Sequence, residues 1–378
     1  MNSILTAEEV RRALSIRDLT QPALGPHALQ LLVDVATQAL TAAWNVAVRV
    51  HRASPIVSVR DNYDELGYSP EAAARDARYT RYVCDVAVLR TQTSALLPAF
   101  LRELAANPEN TPSDLLLVCP GLTYRRDVID RLHTGEPHQL DLWRLRQGSL
   151  SSAELEQMIA ILIGALLPGR PYRTSPAEHP YTTSGLQIDV RDGDGWIEVG
   201  ECGLVHPALL ARTGHEPTRI SGLALGLGLD RLVMLRKGIS DIRLLRSSDE
   251  RVANQMLDLA PYRPVSAMPA VRRDLSLAVA AHTEVEELGD RIRSALGDDT
   301  GVIESVTVLG ETPYGELPAA AIQRMGVAPH QKNVLVRVTL RALDRSLTHD
   351  ECNALRDRIY AAVHEGTEKE WATSSPAE

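Results

Sequence analysis

A chain of 378 residues, 44% hydrophobic and 24% charged, is long enough for two domains and ordinary in composition for a globular protein. A net charge of −9 does not mark a whole-chain nucleic-acid binder, although a local basic face would survive that average. No apolar run reaches membrane-spanning length. The four cysteines (84, 119, 202 and 352) are scattered, which excludes a Cys-x-x-Cys zinc site and a disulfide framework and predicts a reducing, cytoplasmic setting.

The first element expected is a short helix over residues 6–14, with Thr6 as N-cap and Glu8 and Glu9 in its first turn. Residues 25–48 contain a long amphipathic helix, 56–59 a short β-rich run, and 61–82 a polar loop with helical pieces. From residue 83 strands and helices alternate: a strand at 86–90, a helix at 94–106 and a strand at 114–118. Segments 122–126 and 139–145 are expected to pair as an antiparallel hairpin around a long loop. Ser151 and Glu154 form a capping-box pattern that opens a helix over 151–167. Strands at 186–190 and 195–199 flank Asp192-Gly-Asp-Gly195, a hairpin turn signal. The glycine-rich apolar run Ser221-Gly-Leu-Ala-Leu-Gly-Leu-Gly228 can pack closely, and it leads into a helix with Leu229, Leu232, Val233 and Leu235 on one side. Many strands with helices to one side predict an α+β domain around an antiparallel sheet.

Residues 261–269 form a proline-punctuated connector, after which the pattern restarts. A strand (271–279), a helix (284–296), two strands (302–309 and 334–340) and a helix (350–364) match the order of a split βαβ, ferredoxin-like module. Four segments follow: an N-terminal extension at 1–24, a larger domain at 25–260, a smaller domain at 261–366 and a polar tail at 367–378.

Arg231 lies in the first turn of the helix after the glycine run, where unpaired N–H groups and the helix dipole favour an anion. A guanidinium there can grip a phosphate with paired donors. This segment, with Ile239-Ser-Asp-Ile-Arg-Leu244, resembles the third signature motif of class II aminoacyl-tRNA synthetases, most closely that of phenylalanyl-tRNA synthetases. Cys119-Pro-Gly-Leu-Thr-Tyr-Arg-Arg-Asp127, the loop to His133 and Pro137-His-Gln-Leu-Asp141 resemble the second motif. The resemblance implies ATP and Mg²⁺ as reactants. It puts Arg125 on the α-phosphate and Arg231 on the γ-phosphate as the catalytic pair, with Asp127 and His133 lining the ATP site. Trp196-Ile-Glu-Val-Gly-Glu-Cys-Gly-Leu-Val-His-Pro207 resembles the strand before the third motif, which makes Glu198 the candidate metal ligand.

The same resemblance implies an amino-acid site. Leu89-Arg-Thr-Gln-Thr-Ser94 is similar to a family run in which Gln92 replaces a histidine. Ser94, Gln139 and Asp141 are implied as anchors of the α-amino and carboxylate groups, with Asp141 standing for a glutamate. Ala224 at the pocket floor is kept. Three positions depart: His179-Pro-Tyr181 replaces Phe-Pro-Phe, Glu201 replaces a small residue, and Pro137 replaces the adenine-stacking phenylalanine. Buried together without partners, His179, Tyr181 and Glu201 would reject a bare phenyl ring unless water or one another satisfied them. Three readings stay open: a phenylalanine enzyme with an unusual pocket, an enzyme for a more polar or non-standard amino acid, or a chain without catalysis.

Met268-Pro-Ala-Val-Arg-Arg-Asp-Leu-Ser-Leu277 and Asp344-Arg-Ser-Leu-Thr-His-Asp-Glu351 resemble parts of the ferredoxin-fold anticodon-binding domain of phenylalanyl-tRNA synthetases. Arg272, Arg273, Arg341 and Arg345 are then candidates for phosphate contacts with tRNA. Both domains in one polypeptide resemble the single-chain organellar enzymes. The activity implied is amino-acid activation by ATP and transfer to tRNA. The alternatives are transfer to a carrier protein or small molecule, or a non-catalytic tRNA-binding paralogue.

Overall fold

The computed structural model describes residues 4–77, 79–126, 128, 130–265 and 268–368, and its contacts divide the chain into two compact units. The first comprises Met1–Arg125 and Glu136–Arg263; the second, Arg126–Gly135 and Pro264–Glu378.

The first unit opens with α1 (Ala7–Ser15), closed at its start by a Thr6–Glu9 capping box. Helix α2 (Ala28–Trp44) ends at Asn45, whose left-handed φ of 51° turns the chain into β1 (Ala47–Val50). Strands β2 (Ile56–Ser58), β3 (Tyr82–Cys84) and β4 (Ala87–Leu89) make a small antiparallel sheet in the order β2-β4-β3. A 3-10 turn, Thr93–Leu96, leads into α3 (Leu97–Ala106). Then come β5 (Asp114–Leu122), β6 (His138–Gln147), α4 (Ser152–Leu166), β7 (Tyr172–Pro176), β8 (Thr182–Asp192), β9 (Gly195–Val205), α5 (Pro207–Arg212), β10 (Ile220–Gly228), α6 (Leu229–Lys237) and α7 (Glu250–Ala253).

Seven strands form the main sheet, in the order β1-β5-β6-β10-β9-β8-β7. Every pairing is antiparallel except β1 with β5. Side-chain alternation gives the sheet two unlike faces. Leu115, Leu117, Cys119, Trp143, Leu145, Ala224 and Val205 point to one side, where they pack with α3 and α5. The alternate residues, Leu116, Val118, Leu142, Leu223 and Leu225, are buried on the other side, the layer of α2, α4 and α6. The only phenylalanine, Phe100, sits in the α3 layer with its ring stacked on His51 at 4.5 Å.

The sequence reading differs from this fold in several places. It does not anticipate β3, α5, α7 or the helix Ala319–Met325, and it ends β9 at Val199 rather than Val205. It splits β5 in two around Cys119-Pro-Gly121 and carries a strand on to Arg126, whereas β5 is one strand ending at Leu122. Pro120 is tolerated because β1 pairs only as far as Val118, so at Pro120 that flank of β5 needs no donor. Strands β1 and β7 were not anticipated. β1 is four residues directly after a helix, and the exposed, polar β7 lies at the sheet edge without an apolar alternation.

The second unit contains β11 (Val271–Ala280), α8 (Val285–Leu296), β12 (Ile303–Pro313), α9 (Ala319–Met325), β13 (Gln331–Leu340) and α10 (His349–Val363). Its sheet is antiparallel, ordered β11-β13-β12. Helices α8 and α10 cover one face through Leu288, Ile292, Leu355 and Ile359. Thr348 and Glu351 form the expected capping box. Of the 367–378 tail, residues 369–378 lie outside the described residues.

Candidate active site

The site lies on the α3-side face of the main sheet and is built by register. Trp143, Asp141 and Gln139 on β6 stand opposite Ala224, Gly226 and Gly228 on β10. Ala224 and Gly226 stand in turn opposite Gly203 and Glu201 on β9. Cross-strand partners share a face, so β10 contributes almost no side chain between two polar walls. A Cβ at Gly226 would find nothing closer than Asp141 Oδ1 at 3.8 Å, whereas one at Gly222 would strike Val205 at 2.7 Å. The trough is thus open over Gly226 and closed beyond Ala224.

A β-bulge completes the acidic wall. On β9, Gly200 pairs with Ile188 but Glu198 pairs with Asp189, which leaves Val199 as the extra residue. The bulge returns Glu198 to the face that carries Glu201. Burial and the neighbouring Glu201 push the Glu198 carboxyl up, while Arg231 and Arg125 pull it down. Arg231 Nη1 also donates to the Glu198 carbonyl oxygen at 2.8 Å. Arg231 is thus held against Glu198, and Arg125, from a motif more than a hundred residues away, lies within electrostatic reach of the same carboxylate. Arg125 Nε is buried and has no hydrogen-bond partner among the described residues.

Helix α6 is fixed at its start by the residue before Arg231. Asp230 accepts from the His138 backbone N–H (2.5 Å) and bonds its Nδ1 (3.0 Å). His138 Nε2 meets the Leu19 N–H at 3.1 Å and Arg246 Nη2 at 3.2 Å. Two donors at Nε2 put the ring proton on Nδ1, so the fully buried imidazole donates to Asp230. The N-terminal segment, α6 and the start of β6 thus meet at one ring.

Asp141 holds the other end of the trough. Thr93 Oγ1 (2.5 Å), Ser94 Oγ (2.8 Å) and Trp143 Nε1 (3.1 Å) donate to its buried carboxylate. It forms no ion pair with Lys or Arg among the described residues, and burial raises its pKa despite the three donors. Gln139 Oε1 accepts from the Thr93 N–H at 3.2 Å. Gln92 bonds the Tyr68 hydroxyl and the Asn62 carbonyl oxygen, both at 3.4 Å. Thr93 and Trp143 were missed as site residues. Thr93 lies inside the run read for Ser94, and Trp143 is two residues beyond Asp141 on the same strand face, so the motif itself could have found the first and strand periodicity the second.

His179, Tyr181 and Glu201 come together beside Asp141. His179 Nε2 pairs with Glu201 Oε2 at 2.7 Å, and that bond holds the imidazole above its ordinary pKa. Tyr181 stacks on Trp143 (6.0 Å) and tilts against His179 (5.4 Å), and burial pushes its hydroxyl pKa well up. His179 Nε2 and Glu201 Oε2 therefore satisfy each other, so the three polar groups are not all unpartnered, and the expectation narrows to the remaining atoms of this pair.

Asp127 lies outside the described residues, and His133 belongs to the second unit, where its ring meets Asp130 at 2.8 Å. In that unit Arg272 is exposed, and Arg273 bonds Asn353 and His349. Arg341 pairs with Glu304, which also binds Arg131, and Arg345 pairs with Glu351 at 2.8 Å. No cluster of three or more His, Cys, Asp or Glu residues that could hold a metal occurs among the described residues. No helix among them is long and apolar enough to cross a membrane. All four cysteines are free.

The sequence profile described as tRNA synthetases class II core domain (F) matches residues 25–256, the segment that builds the main sheet and α6. The chain belongs to the class II tRNA synthetases. It is 32% identical over 240 residues to the phenylalanine–tRNA ligase alpha subunit of Prochlorococcus marinus strain MIT 9313, covering 63% of this chain and 69% of that one. It is 34% identical over 194 residues to the corresponding subunit of strain NATL2A, and there it spans only 56% of the relative's length. Similarity to the mitochondrial phenylalanine–tRNA ligase of Saccharomyces cerevisiae is lower, at 24%, but extends over 88% of this chain and 85% of that protein. As a class II synthetase, the chain is a ligase of the aminoacyl-tRNA synthetase type.

Proposed function

We propose that the chain activates an amino acid with ATP and transfers it to the 3′ end of a tRNA, the chemistry named for its phenylalanine-specific relatives. One observation carries the reading: an open trough with a buried carboxylate that has no Lys or Arg ion-pair partner among the described residues at one end, and two guanidiniums within electrostatic reach of Glu198 at the other. Asp141 can take the α-ammonium group, which replaces water lost on burial with a cation. Arg125 and Arg231 can take the phosphates, and the orphaned Arg125 Nε is a donor available for one.

The chemistry follows from that placement. An amino-acid carboxylate attacks the α-phosphorus, the bond to pyrophosphate breaks, and negative charge builds on the phosphoryl oxygens. Fixed cations there lower the barrier by electrostatic stabilisation and alignment. A tRNA hydroxyl then attacks the mixed anhydride and AMP leaves. Mg²⁺ would arrive with the nucleotide and keep most of its waters, with Glu198 as a hard oxygen ligand; the absence of a carboxylate cage among the described residues fits that mode.

We read the second unit as the RNA-binding module. The order β11-α8-β12-β13-α10, with α9 inserted before β13, and the sheet order β11-β13-β12 support a ferredoxin-like reading, with three strands among the described residues. Arg272 is its most available phosphate contact, while Arg341 and Arg345 would exchange a carboxylate for a phosphate. A cytoplasmic setting rests on the free cysteines alone, and one relative is mitochondrial. Transfer to another acceptor, or loss of catalysis, gains no support from the geometry.

The test is amino-acid-dependent exchange between pyrophosphate and ATP, run with and without tRNA, followed by tRNA charging. Exchange and charging are both expected. Exchange without charged tRNA would redirect the reading to another acceptor, and the absence of exchange would overturn it.

A further inference from the structure

The side-chain end of the trough carries a charged pair that the reaction does not need. Glu201 and Asp141 stand on β9 and β6 with Gly226 between them, two strand spacings or roughly 10 Å apart. Both point to the same face. An amino acid with its ammonium on Asp141 must direct either its carboxylate or its side chain toward Glu201. The carboxylate is repelled there and belongs with the arginines, so the side chain faces Glu201.

The walls at that end are aromatic and polar together. Tyr181 is stacked on Trp143, and Tyr68 lies 6.3 Å from Tyr181. The ion pair uses Nε2 of His179 and Oε2 of Glu201. Glu201 Oε1 and His179 Nδ1 have no hydrogen-bond partner among the described residues. The Glu201 side chain is 36% exposed and that of His179 19%, so the pair is within reach of water and of a ligand. A bare phenyl ring would strip that water and return nothing. A ring bearing a donor would replace the water at Oε1.

Resting on the activation reading above, we infer that Glu201 and His179 are specificity-determining residues that select an aromatic amino acid whose ring carries a hydrogen-bond donor, hydroxyl or amino, over phenylalanine. A site built to hydrogen-bond its substrate discriminates more strongly than an apolar pocket that must reject an added hydroxyl. Tyr68 and Tyr181 supply the ring contacts, and Glu201 reads the substituent.

Pyrophosphate exchange on the full chain tests this with phenylalanine, tyrosine, meta-tyrosine, 4-aminophenylalanine and histidine. A donor-bearing ring is expected to exceed phenylalanine by at least about tenfold in kcat/KM, in line with the worth of one hydrogen bond to a charged group. The double variant His179→Phe with Glu201→Ala is expected to reverse that order. Should it fail to fold, Glu201→Gln keeps the shape, removes the charge and is expected to shrink the preference. Phenylalanine as the best substrate of the natural chain overturns the selectivity and leaves activation standing. An unchanged ranking in a folded variant does the same. No exchange with any amino acid overturns activation itself, and the selectivity with it.

Discussion

Asp141 is a negative charge surrounded by neutral donors, and its fate on substitution separates folding from binding. Because its folded pKa lies above the ordinary value, the ionised carboxylate opposes folding. Its contribution to stability is fully present below the unfolded carboxylate value and is lost as pH rises through the raised one. Asp141→Asn is therefore expected to hold or raise the melting temperature at neutral pH. The same change removes the partner of a buried ammonium, worth roughly 2–5 kcal/mol, so amino-acid-dependent exchange should fall about a hundredfold or more. Calorimetry and exchange on one sample check both halves. Arg231→Ala is expected to lower exchange by about 10²–10³ with little change in melting temperature, and Arg231→Lys to restore little, since an ammonium cannot reproduce the planar fork. The arginines and Asp141 could be singled out from sequence because each sits inside a contiguous motif. The pairing of His179 with Glu201 was not: 22 positions and a strand register separate them, and nothing local says that one neutralises the other.

At the level of elements, the trough depends on which glycines are structural and which are vacant. A Cβ at Gly200 would lie 2.3 Å from the Gly226 carbonyl oxygen, a backbone atom that cannot move aside. Gly200→Ala should cost roughly 1–3 kcal/mol, read as a lower melting temperature. Gly226→Ala meets only ordinary contacts, yet it puts a methyl group on the trough floor. It should fold normally and raise KM for the amino acid more than it lowers kcat. Capped helices were read from sequence because caps and periodicity are local: Thr6 caps α1, and Ser151–Glu154 and Thr348–Glu351 close as expected, whereas the short helices α5, α7 and α9 were not read. The bulge at Val199 left no such trace. It decides that Glu198 faces the site, and only the pairing of β8 with β9 reveals it.

For the whole molecule, activation and RNA transfer should respond differently to salt. Exchange involves small reactants held by short contacts and should change little between low and moderate ionic strength. Charging of tRNA should fall steeply, because each phosphate contact releases counterions. Arg272→Glu should lower charging and leave exchange intact; equal loss of both would contradict the role given to the second unit. The network around His138 adds a constraint on how the chain comes into being. The Leu19 N–H needs that imidazole, and the Arg17 carbonyl oxygen accepts from Arg246 Nη1 at 2.8 Å across 229 positions. On a ribosome the Arg17–Leu19 turn cannot complete its contacts until Arg246 has emerged. Nascent chains stalled short of that point should be nicked by protease near Arg17 more readily than chains that include Arg246.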